Sequence, residues 1–211
     1  MLTVSIRSKR ALPDGTELTG RLIATALDLL EAQPAERLSI REVAQRAGVS
    51  HQAPYVHFGD KRCFLAAVAG AGLERAAAEA VIRVTAAGPK PSQRLHALVD
   101  AYVAFIDTRP HVHDLAYGPL IAMSDHPRLQ TAAINYWTLL RDIVAANQPP
   151  GVDEADILRR CATAWGMVYG IARLNAAGKI PRTVPADRTQ LLHDAIQVLR
   201  DGWQEDCRPL R

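Results

Sequence analysis

The residues best suited to chemistry lie between positions 39 and 62, and they suit hydrogen bonding to a polyanion better than bond cleavage. His51, Gln52 and Ala53 stand together, with Ser39 and Ser50 before them and Lys61 and Arg62 after. Gln52 offers a donor and an acceptor that match adenine, worth about 1–3 kcal/mol of discrimination per paired contact. His51 can donate to a guanine edge or a phosphate, and Ala53 offers apolar contact to a thymine methyl. Lys61 and Arg62 fall in the first turn of an expected helix, where each cation opposes the macrodipole. A phosphate against that end would account for the pair. Catalytic spacing is missing: no nucleophile elbow, phosphate loop or zinc-hydrolase motif is present, and no nucleophile is set beside a His and an Asp. An enzyme is not expected. His111, His113 and Asp114 are metal ligands by type, but His-x-His on a helix turns the two rings to different sides. No thiolate or second carboxylate completes a set at ligand spacing, so neither a metal nor a cofactor is expected.

The segment that must position these side chains runs from 39 to 58. Ser39 can cap a helix, and Glu42, three residues on, completes a capping box with it. Ile40, Val43, Ala44 and Ala47 then fall on one face at helical spacing. Gly48 suits a left-handed exit from that helix. Val49 is the apolar plug of the turn, and Ser50 is a good N-cap for a second helix. Two helices joined by a turn of about 3–4 residues with Gly form a helix-turn-helix, whose second helix enters the DNA major groove by its N-terminal residues. Ser39 and Ser50, at helix N-termini, can turn hydroxyl and backbone donors toward phosphates. Pro54 lacks an N–H and clashes with the carbonyl of Ser50, so it can move the start of the second helix.

The rest of the chain also reads as helix, with no sustained strand alternation. A first helix opens at Asp14 or Thr16, carries an apolar stripe from Leu18 to Leu30, and ends before Pro34. A fourth is capped by Asp60 and runs to about Thr85, where Gly88, Pro89 and Pro91 break it. Leu95, Leu98, Val99, Tyr102 and Ile106 share one face of the next. A short piece from His111 to Met123 is interrupted at Gly118-Pro119. Leu129, Ala133, Trp137, Leu140 and Val144 define the inner face of a helix opened near Pro127. Asp153 starts a long helix ending near Gly178, and Asp187 with Gln190 forms a second capping box for the last. The expectation is an all-α chain of about nine helices. Its 211 residues allow a small domain attached to a larger one.

The net charge of +3 fits nucleic acid without demanding it. Residues 1–16 form a basic arm bearing Arg7, Lys9 and Arg10, and 207–211 form a tail. Three widely spaced cysteines, Cys63, Cys161 and Cys207, suggest reduced thiols in a cytoplasm. No secretory leader is visible. The most apolar run, Cys161 to Ala172, is too short to cross a bilayer of roughly 30 Å.

Residues 17–70 resemble the DNA-binding domain of the tetracycline-repressor (TetR) family. The resemblance is carried by Val43-Ala44, Ala47-Gly48-Val49-Ser50, Tyr55, His57-Phe58 and Lys61. It implies that Arg41 can reach a base, that Tyr55 contacts phosphate, and that His57 belongs to the DNA-facing set, although packing beside Phe58 is its alternative. Position 54, usually an inward leucine in the family, is proline here. Trp165 with Tyr169-Gly170 resembles a subgroup with a Trp…His-Gly signature, and Tyr169 stands where that subgroup has His.

Residues 71–206 exceed what DNA binding needs, and are expected to dimerise, sense a ligand, or both. The helix from Asp153 is apolar nearly all round between Cys161 and Ala172, which suggests burial against its own core and against a twin. With the last helix it would form a four-helix dimer interface, and a two-fold dimer implies a palindromic operator. A pocket for an apolar or amphipathic effector is expected between the middle helices. Pattern and resemblance together nominate Tyr102, Phe105, Tyr117, Met123, Trp137, Trp165 and Met167 for its lining, each with plain core packing as its alternative. The function expected is a cytoplasmic, ligand-released, homodimeric repressor. The alternative is a helical ligand-binding or interaction protein whose DNA unit is degenerate.

Overall fold

Prolines and glycines set many of the helix boundaries. Pro91, Pro110 and Pro127 open helices α5 (Pro91–Thr108), α6 (Pro110–Tyr117) and α7 (Pro127–Ala146). A first-turn proline loses nothing, because its missing N–H has no intrahelical partner there. The remaining helices are α1 (Gly15–Leu30), α2 (Ile40–Arg46), α3 (Ala53–Phe58), α4 (Lys61–Ala86), α8 (Glu154–Ala176) and α9 (Arg188–Glu205). Short 3-10 turns cover Ala35–Arg37 and Met123–Asp125. The computed structural model describes residues 15–205, and among them there is no strand. The basic arm with Arg7, Lys9 and Arg10, the tail, and Cys207 lie outside the described residues.

Helix α4 is the central element, packing against α1, α5, α6 and α7. Its Phe64, Leu65, Val68, Leu73 and Val84 are all buried. In the N-terminal part, α1 contributes Leu22, Ala26, Leu29 and Leu30 to the core, and α2 contributes Ile40, Val43 and Ala44. Phe58 meets Phe64 edge-on at 5.0 Å between centroids, which seats α3 on α4. Helix α9 is fixed to α5 by Arg188, 2.7 Å from the Asp107 carboxylate, and by His193, 2.8 Å from Asp100.

Two local expectations need correction. The Ser39 hydroxyl accepts from the Glu42 N–H at a long 3.5 Å, but the Glu42 carboxylate lies 3.1 Å from Arg46 instead of closing the capping box. Ser50 does not cap α3: the helix begins at Ala53, with Gln52 at the cap position and no side-chain cap bond. Proline is the reason. With Pro54 in the first turn its absent N–H is harmless, whereas a start at His51 would leave the Ser50 carbonyl without its donor and against the ring. On α8, Cys161, Ala164, Val168 and Ala172 are buried along one face, and Ala162 and Gly166 are exposed on another.

Candidate nucleic-acid interface and ligand cavity

The turn between α2 and α3 is a complete Schellman motif. Gly48 has φ 69°, its N–H bonds to the Gln45 carbonyl at 3.1 Å, and the Val49 N–H bonds to Ala44 at 3.0 Å. A side chain with a Cβ would be strained at that φ, so glycine here fixes the angle between the two helices. A second left-handed glycine, Gly59 at φ 82°, separates α3 from α4. The Asp60 carboxylate then caps α4 by accepting the Cys63 N–H at 2.8 Å. That bond holds the Asp60 carboxyl below its usual range. In the free protein Asp60 therefore supplies the anion at the N-terminus of α4, beside the exposed Lys61 and Arg62.

Ser39, Arg41, Ser50, His51, Gln52, Tyr55, His57 and Lys61 are all exposed, and Ala53 is half-buried. His51 and Gln52 stand in the turn ahead of α3 instead of on its first turn and a half, and the Gln52 amide lies 3.3 Å from His51 Nε2. Within α3 the inward position belongs to Pro54, which is buried. Two residues later comes Val56, 78% exposed and turned about 200° from Pro54 on the helix. Val56 was not among the expected candidate residues. The signal for it is the inward position of residue 54, which puts residue 56 on the outer face. His57 departs the other way: its ring lies against the start of α1, where a Cβ on Gly15 would be 3.7 Å from Cε1. It follows Pro54 by three residues, so helical geometry carries it toward the packed side.

A cavity of about 250 Å³ lies between α5, α7, α8 and α9, with the end of α6 at its edge. Tyr102, Tyr117, Trp137 and Trp165 line it, together with Tyr136 and Ile134. Phe105, Met123 and Met167 do not. Phe105 is spent on the core, edge-on to His113 at 5.6 Å. Met123 is in the 3-10 turn before α7, and Met167 is about 200° around α8 from Trp165.

A hydrogen-bond chain crosses the cavity wall. The Trp165 indole N–H donates to the Tyr102 hydroxyl at 3.0 Å, and that hydroxyl lies 3.1 Å from His113 Nε2. The Tyr102 oxygen accepts from Trp165 and shares one hydrogen with His113 Nε2, the direction of that second bond following the imidazole tautomer. Nδ1 is 3.6 Å from the Asp114 carboxylate and makes no hydrogen bond. Burial pushes the His113 imidazole below its ordinary value, opposed by Asp114. Burial also raises the phenols of Tyr102 and Tyr136, and pushes Tyr117 up to about 12. Tyr169 stacks on His113 at 5.8 Å. His113 is thus a core histidine joining α5 and α6, with α8 beside it.

Two family models match the chain. Residues 22–68 match the bacterial regulatory proteins of the tetR family, and residues 95–199 match the tetracyclin repressor-like C-terminal domain. The chain belongs to the TetR family. TetR-family regulators are DNA-binding proteins and not enzymes. Among solved structures, a protein of unknown function from Rhodococcus sp. RHA1 is 29% identical over 93% of this chain and 99% of its own, with a TM-score of 0.75. A TetR transcriptional regulator from the same organism is 17% identical over 89% and 97%, with a TM-score of 0.62. The TetR-family regulator PfmR from Thermus thermophilus is 15% identical over 86% and 97%, with a TM-score of 0.57. The last two likenesses concern the fold alone. A search of curated proteins gave no match. No helix among the described residues is long and apolar enough to cross a membrane.

Proposed function

We propose that this TetR-family regulator is a homodimeric repressor in the cytoplasm, docking on a palindromic operator and released by a small apolar or amphipathic ligand. The observation that carries the reading is the coexistence of two features joined by one helix. An exposed, Schellman-locked wedge ends in Lys61 at the start of α4, and the body of α4 packs against helices that border or support the cavity. In this reading Arg41, His51 and Gln52 meet base edges, while Ser39, Ser50, Tyr55 and Lys61 hold phosphates. Dimerisation is supported by Leu158, Leu174 and Val198, apolar side chains left exposed on α8 and α9. A ligand can release DNA only by binding the released conformation more tightly, and each tenfold weakening of DNA binding takes about 1.4 kcal/mol of differential affinity.

The test is a gel shift with duplex DNA from beside the protein's own coding region, titrated with salt. Affinity should fall steeply with salt, since neutralised phosphates release counterions. Lys61→Ala should reduce that slope by about one unit and weaken all sequences alike. Ligand binding without any duplex binding would support the degenerate DNA unit instead.

A further inference from the structure

We propose that the stacked imidazoles of His96 on α5 and His193 on α9 form a proton-operated latch, through which mild acid lifts α9 from the bundle and opens the dimer. The opening of the dimer rests on the reading of α8 and α9 as the dimer face; the lifting of α9 does not. The two rings lie 4.7 Å apart between centroids and are 7° from parallel. His193 Nε2 is also 2.8 Å from Asp100 Oδ1, and Asp100 stands about one turn after His96 on α5. Both imidazoles are half-buried.

The charged groups around the pair make its two protons unequal. A proton on His193 is met by the Asp100 carboxylate bonded to it. The groups that act on His96 are Asp100 from its own helix and His193 and Arg200 from α9. A proton there meets the face of the other ring, the like charge of Arg200 and a half-buried setting, with Asp100 already engaged. Burial holds His96 below its ordinary 6.5, with His193 and Arg200 adding to the effect and Asp100 opposing it. Between 6.5 and that lower value a proton binds His96 preferentially in chains whose α9 has left α5, so acid favours the lifted state. Docking is complete above the window and weakens as pH falls through it.

The surroundings let α9 move as a unit. Arg188 on Asp107 holds its start, Gln204 donates to the Asn147 carbonyl at 3.0 Å near its end, and Leu192, Ile196 and Trp203 are buried beneath it. None of these groups is an imidazole, the side chain whose ordinary value falls in the mildly acidic range. Residues 177–187 hold no helix, so α9 can lift while α8 stays in place.

Hydrogen exchange of the full chain at about pH 7 and about pH 5.5, corrected for the intrinsic rate, tests the latch. Peptides of α9 should exchange faster in acid by up to about eightfold, the limit for one proton with an ordinary value of 6.5, while α4 changes by less than about twofold. His96→Phe keeps a flat ring against His193 and removes the proton, and His96→Gln removes the proton alone. Either should bring the change in α9 to within about twofold. The latch is overturned if α9 does not quicken, if all helices quicken together, or if the gain survives both variants. Its confinement to α9 in the parent decides the matter even if a variant fails to fold. Light scattering at the same two pH values reads the dimer, whose mass should fall to that of one chain in acid. A mass that stays at the dimer while α9 quickens overturns the opening and leaves the latch. A parent that is a monomer at both pH values removes the dimer reading instead.

Discussion

Val112 of α6 occupies the space that a side chain on Gly72 of α4 would need: a Cβ there would lie 2.3 Å from Val112 Cγ1. Both residues are buried, so neither can swing into solvent. A second tie, Arg109 Nη2 to Glu79 Oε1 at 2.7 Å, joins the entry of α6 to α4 a little further along, and holds the Glu79 carboxyl below its usual range. The two contacts fix α6 against α4. Gly72→Ala gains roughly 1 kcal/mol of helix propensity, but overpacking at this distance costs about 1–3 kcal/mol, so the clash should win. The expected outcome is a lower midpoint in thermal unfolding, largely restored in the double variant with Val112→Ala. Additive losses would mean that the two residues do not oppose each other.

The second prediction concerns base preference. Gln52→Ala should relax selection at one operator position by about 1–3 kcal/mol, and Val56→Ser should weaken preference for a thymine at a neighbouring one. A randomised-duplex selection reads both. Unchanged base preference in Gln52→Ala would remove it from the groove-facing set, and the same result for Val56→Ser would leave α3 docked by some other face.

What was legible in the sequence was local. Pro127, Asp153 and Gly178 mark their boundaries because backbone geometry is imposed by the residue itself, and all three stand where expected. Ser50 misled because two local signals compete there: a good cap at 50 and a proline at 54, and only the proline is a steric constraint. Tyr136 was missed for a different reason. Helix α7 packs against α4, α5 and α8 at once, so its buried stripe is wide, including Ala132 and Tyr136 beside the expected Leu129 and Val144. Periodicity alone does not say that both aromatics of the adjacent Tyr136-Trp137 pair line the cavity. Phe105, Met123 and Met167 were nominated from pattern and resemblance, and neither separates a cavity wall from a filled core.

Stability should depend on pH through His113. Its imidazole is held below 6.5 by burial first, with Arg173 adding to the effect and Asp114 opposing it. Between 6.5 and the lower folded value the unfolded chain binds a proton that the folded chain does not. Stability is therefore full above that window and falls as pH drops through it. Urea unfolding at neutral and mildly acidic pH should show the loss, and His113→Gln should show less of it. His96, also lowered by burial with His193 and Arg200 near it, titrates in the same direction in both proteins. The difference between parent and variant thus isolates His113. Parallel pH profiles would mean that His113 takes up its proton without cost to the fold.

The last prediction separates dimer from monomer. Leu158 on α8 and Val198 on α9 are 39% and 71% exposed, and both helices pack together against the rest of the bundle. Large apolar side chains left in water on two adjacent helices are what a self-complementary interface would cover. On α8 the exposed Ala162 and Gly166 would let a twin helix approach closely. Leu158→Asp with Val198→Asp puts carboxylates at positions that are already solvated in the monomer, so the fold should be kept. In a dimer the same changes bury like charges across a two-fold axis. Light scattering after size-exclusion chromatography should give twice the chain mass for the parent and the single mass for the variant. Operator binding should fall with it, since one recognition helix alone loses the second half-site held about 34–36 Å away. A parent that runs as a monomer, or a variant that stays dimeric, would place the interface on other helices and leave the exposed residues of α8 and α9 unexplained.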